Sequence, residues 1–155
     1  MTDAPDLMAE WLALPSVSDD GLACIGIDRR IANRAGGLAW ARIITAGRGF
    51  DFDHAGTPAI IQPVWRGLAP SIESDVERPN LADMIAWHPA EPRRWWYRWD
   101  CDSPALGDEY VEDAHAAGPL FCHLTPLAWL RSGCRGTVLL HFAEHFALEF
   151  GRAAA

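Results

Sequence analysis

The chain contains no lysine; all thirteen of its basic residues are arginine. Codon bias in a GC-rich genome accounts for this, and its physical effect is a surface whose cations are all flat, bidentate and able to stack. No C-x-x-C pair occurs among Cys24, Cys101, Cys122 and Cys134. Such spacing argues against a disulfide framework or a zinc cluster and for free thiols in a reducing compartment. The N-terminus lacks the basic start of a signal peptide, and no apolar run approaches the roughly 20 residues that cross a bilayer. A cytoplasmic protein without a membrane partner is expected. G-x-S-x-G is absent, and Gly47-Arg48-Gly49 lacks both the third glycine and the lysine of a phosphate loop.

What is present is ordinary globular composition over 155 residues, half apolar and 22% charged. That length supports one domain, 1–155, with a core that needs no metal or disulfide staples. The net charge is −8, which disfavours nucleic acid as a partner, but the charge is unevenly spread. Residues 29–50 carry five arginines and no acid; residues 100–113 carry six acids and no base. The two segments either pair with each other or form separate surface patches.

The densest feature is 81–99, with four of the eight tryptophans and three of the thirteen arginines. Strands over 81–88 and 94–99, joined by a turn from Pro89 to Pro92, are expected. Alternation then puts Trp95, Tyr97 and Trp99 on one side, in the core. Arg94, Trp96 and Arg98 fall on the other. Guanidinium and indole stack well, so this second set is the candidate partner-binding face. The competing reading is that a helix covers Trp96 and that the arginines neutralise the acidic loop beginning at Asp100.

Elsewhere, Asp3 or Asp6 caps a short helix over 5–14 with Leu7, Trp11 and Leu14 on one side. Ser16–Gly21 reads as loop and Leu22–Ile27 as a short strand. Arg29–Gly37 reads as a helical turn closed by Gly36-Gly37. Leu38–Thr45 fits strand or helix, Gly47–Gly56 is turn material, and Pro63 confines the strand 59–65 to an edge or a bulge. A long acidic loop occupies 100–118. Thr125-Pro126 starts a helix that Gly133 stops, burying Leu127, Trp129 and Leu130. A strand over 136–140 and a terminal helix over 143–150 follow. Repeated βαβ units are missing. An α+β fold is expected: an antiparallel sheet with a Trp-rich hairpin, covered by two or three helices.

His141-Phe-Ala-Glu144-His145 matches H-x-x-E-H, in which two histidines hold zinc and the glutamate acts as base. A third ligand is wanted. Glu149 would stand about 12 Å from His141 along a helix, too far for one ion. His123 or Cys122 would have to supply it from upstream. The motif is expected to be empty, and no cofactor is expected. Asp51, Asp53 and His54 form a D-x-D-H cluster suited to Mg²⁺, although paired aspartates are commonplace in turns. The run from Asp100 fails the calcium-loop pattern, with Pro104 at a ligand position and Ala105 where glycine belongs.

Three segments, 55–65, 81–98 and 126–140, resemble a group of small proteins of α-proteobacteria and their phages or prophages. The resemblance implies a mobile-element context and a cytoplasmic product, and carries over no activity and no catalytic residues. The composite expectation is a phage-type accessory protein acting as a non-catalytic interaction module with a protein partner. Two other classes compete. One is a small metal-dependent hydrolase using His141, Glu144 and His145; the other is an acidic mimic of nucleic acid that occupies a basic partner.

Overall fold

A computed structural model describes residues 6–66, 80–99, 105–106, 122–135 and 137–140. The first element, α1 (Leu7–Ala13), starts where Asp6 accepts a hydrogen bond from the Ala9 amide at 3.1 Å. The segment expected to run as loop and then strand is instead α2 (Asp19–Cys24). Ser18 caps it by accepting from the Gly21 amide, and Asp19 and Asp20 complement the positive end of its dipole. The α3 helix (Arg29–Arg34) has Asp28 as its cap and ends in Gly36 and Gly37, both at positive φ.

Five strands follow: β1 (Ala39–Ala46), β2 (Gly49–Phe52), β3 (Thr57–Arg66), β4 (Asn80–His88) and β5 (Glu91–Tyr97). They close into a barrel in the order β1-β2-β5-β4-β3. All pairings are antiparallel except the closure of β2 on β5, where Gly49 lies opposite Tyr97 and the Tyr97 amide donates to the Arg48 carbonyl at 2.8 Å. The mixture of helices and strands is as expected; the architecture is corrected from an antiparallel sheet to a closed mixed barrel. A second, three-stranded sheet orders β6 (Ala105–Leu106), β8 (Thr137–Leu139) and β7 (Cys122–His123), with β7 and β8 parallel. Before β8 comes α4 (Pro126–Arg131), capped by Thr125 on the Ala128 amide and followed by Gly133 at φ 82°, as the sequence predicts.

Strand alternation sorts the core into two clusters. Ala39, Ile43, Phe50, Ala59, Ile61, Met84, Ala86 and Trp96 line the barrel interior. Leu7, Trp11 and Leu14 of α1 pack against this set, so α1 presents its apolar side to the interior cluster. The outward residues Ile60, Val64, Ile85, Trp87 and Tyr97 lie instead under α2, α3, α4 and the second sheet. Both faces of β3 and β4 are therefore buried, which is why 59–64 and 84–87 read as nearly continuous apolar runs. Pro63 lies beyond the last β1–β3 pair, Ala39 with Ile61, and beside the bulge between Val64 and Trp65.

Two close approaches need glycine. A Cβ on Gly56 would come within 2.2 Å of the Ile43 carbonyl oxygen. Gly36 combines φ +88° with the Trp65 indole packed directly over it. Among the described residues no helix is long and apolar enough to cross a membrane.

Candidate interaction surface on the barrel wall

Of the three residues proposed from the sequence, Arg94 and Trp96 share one face of β5, which ends at Tyr97, one residue short of Arg98; barrel closure takes Trp96 inside and leaves Arg94 outside. Trp96 is only 7% exposed, packed within the interior cluster. The His88 ring meets it edge-on at 5.5 Å, and the Arg94 guanidinium lies 5.0 Å from its centroid. Arg94 is exposed. Arg98 is half-buried; it donates to Glu10 through Nε and Nη2 at 3.0 and 2.6 Å, and to Asp51 through Nη1 at 3.0 Å. Its guanidinium also lies 5.7 Å from the Phe52 centroid. Arg98 therefore ties α1 to β2 and β5. The indole expected to stack on a partner is a core side chain.

The other side of β5 follows expectation at Tyr97, in part at Trp95, and departs from it at Trp99. Tyr97 is buried and donates its hydroxyl to the Leu140 carbonyl at 2.7 Å, linking the barrel to the second sheet. Trp95 is half-buried and donates its indole N–H to the Tyr97 oxygen. Trp99, expected in the core, is 43% exposed because the strand has ended at Tyr97.

The surface with binding character lies on β1. Its inward residues Ala39, Ala41 and Ile43 are mostly small, and its outward residues Trp40, Arg42 and Ile44 are large. Trp40 is 45% and Ile44 48% exposed. Arg42 stands between them, held by a 3.1 Å bond from Nη1 to the Gly56 carbonyl. Pro58 of β3 lies opposite Arg42, and Asp51 of β2 lies opposite Ile44. The covering helices stack on β3, β4 and β5 instead. The signal in the sequence was the alternation of small and large residues over 39–44, which composition alone hides.

Possible chemical sites are dispersed. Asp51 is committed to Arg98, while Asp53 closes its own turn by accepting from the Ala55 amide at 2.7 Å. No group of three metal-ligating side chains occurs among the described residues. His123 hydrogen-bonds through Nε2 to the Arg135 carbonyl at 2.7 Å. His141, Glu144 and His145 lie outside the described residues, as do most of the acidic segment 100–118 and the terminal helix expected over 143–150. Cys24, Cys122 and Cys134 are free thiols. Thr57 and His88 approach at 3.4 Å (Oγ1 to Nε2), and the His88 Nδ1 bonds the Pro58 carbonyl at 2.9 Å. This small network pins β3 to β4 beside Trp96.

Compared with family models, curated proteins and solved structures, the chain matches none.

Proposed function

We propose that the protein is a non-catalytic interaction module, an accessory protein of phage or prophage type, that docks onto a protein partner through the outer face of β1. The observation that carries this reading is the exposed Trp40–Arg42–Ile44 row. Large apolar side chains on a barrel wall stabilise nothing inside, and tryptophan and arginine dominate the energetic centres of protein interfaces. The net charge of −8 favours a protein over nucleic acid as the partner.

The test is affinity capture from the host with wild-type, Trp40→Ala and Ile44→Ala proteins, with and without nuclease. One protein should be retained by the wild type regardless of nuclease. Trp40→Ala should weaken it by about 2 kcal/mol or more, the scale of a central tryptophan, with the melting temperature unchanged. Retention of the same partner by both variants would sink the proposal. A basic partner released by salt but indifferent to Trp40→Ala would favour the nucleic-acid mimic instead.

A further inference from the structure

Arg30 and Arg34 stand one helical turn apart on α3, and so on one side of it. The Arg34 guanidinium reaches the Gly133 carbonyl just past α4 at 3.1 Å. Gly133 is flanked two residues away on either side by Arg131 and Arg135. Arg30 and Arg34 of α3 and Arg131 and Arg135 around the end of α4 thus belong to one helix junction, and all four are exposed. Cys134 packs the same junction, its thiol 3.7 Å from the Ile31 carbonyl.

Folding uses few of their donors. Arg34 spends one N–H on Gly133, and Arg131 spends one on the Ile25 carbonyl that ends α2, at 3.0 Å. Each guanidinium has five N–H groups, so most still face outward. No hydrogen bond from the side chains of Arg30 or Arg135 occurs among the described residues. Arg29 is different: it is paired with Asp19 at 2.9 Å and does not belong to the group. None of the four meets a carboxylate among the described residues.

We propose that this arginine cluster at the α3–α4 junction is a second docking surface, one that receives a short acidic protein segment. Planar guanidiniums match carboxylates with two parallel hydrogen bonds, which suits a run of aspartate or glutamate. A nucleic acid fits poorly for two reasons. Its backbone extends beyond four arginines into a molecule of net charge −8. The cluster also supplies no aromatic ring for bases to stack on. The surface is separate from the β1 row and does not depend on it.

The experiment is fluorescence anisotropy with labelled hexaglutamate and, separately, a labelled oligothymidylate. The proteins are wild type, the double variant Arg30→Glu/Arg135→Glu, and Trp40→Ala. The double variant spares the two arginines that bond backbone carbonyls; Arg30→Gln/Arg135→Gln replaces it if its melting temperature falls. Wild type should bind hexaglutamate at about 50 mM salt and about tenfold more weakly at about 200 mM, as screening requires. The double variant should lose about tenfold at low salt, on the scale of one or two lost charge-assisted pairs, while Trp40→Ala binds as wild type does. The proposal is overturned by absence of hexaglutamate binding at low salt, by equal binding to the double variant, or by tighter wild-type binding to the oligonucleotide.

Discussion

Trp40 and Trp96 are the same residue type on neighbouring kinds of strand, yet they do opposite work. Trp96 fills the barrel between Met84, Ala86 and Ile61, and nothing replaces its volume if it is truncated. Trp96→Ala should therefore cost about 3–5 kcal/mol in chemical denaturation, the range of a large-to-small core change. Trp40→Ala, by contrast, should stay within about 0.5 kcal/mol of wild type, as exposed sites do. Equal losses for the two variants would mean that β1 is covered and would remove the basis for its docking role. Arg94, half of the stacking pair with Trp96, remains an exposed cation whose partner ring is already occupied.

At the scale of elements, short helices of six or seven residues survive because each start is capped and one apolar side packs against a core cluster. Isolated helices of this length do not persist in water, so packing and caps supply what propensity cannot. In α4 the cap is Thr125, with Pro126 behind it and Leu127, Trp129 and Leu130 in the core. Thr125→Ala should destabilise the protein by about 1 kcal/mol, and Thr125→Ser should restore most of it, measured by thermal unfolding. A neutral Thr125→Ala would show that the 3.0 Å bond to the Ala128 amide carries no weight. The α1 helix differs from α4 in having no fully buried residue, and it is tied down mainly by Leu7, Trp11, Leu14 and the Glu10–Arg98 pair.

Across the whole molecule, that contrast sets an order of local stability. Strands β3 and β4 are buried on both faces and share the longest ladder, seven paired positions from Ile60–Trp87 to Arg66–Asn80. Their amides should exchange slowest, near the global unfolding limit, and those of α1 fastest among the helices. Hydrogen exchange read by NMR checks this, and Arg98→Ala should speed α1 further while leaving β3 and β4 unchanged. Uniform acceleration in that variant would instead make α1 part of the barrel's cooperative unit.

Local chemistry made much of this legible in the sequence. Asp6 and Thr125 mark helix starts because a short side-chain oxygen satisfies an otherwise orphaned amide. Gly36 and Gly133 mark stops because only glycine enters positive φ without strain. The hairpin of β4 and β5 follows from its aromatic runs and the Pro89 turn. The Ser18 cap with its two following aspartates was equally local; the apolar run Leu22–Ile27 concealed it, and a strand was expected where α2 forms. Which face of a strand is inside is another matter. Alternation divides β5 into two faces and β1 into two faces, but the choice between them rests on partners distant in the chain. Closure of β2 on β5 at Gly49 and Tyr97 made Trp96 interior, and the helices stacked on β3, β4 and β5 left Trp40 outside. Caps and turns depend on atoms a few residues apart, whereas burial depends on which surfaces meet, and only the tertiary structure decides that.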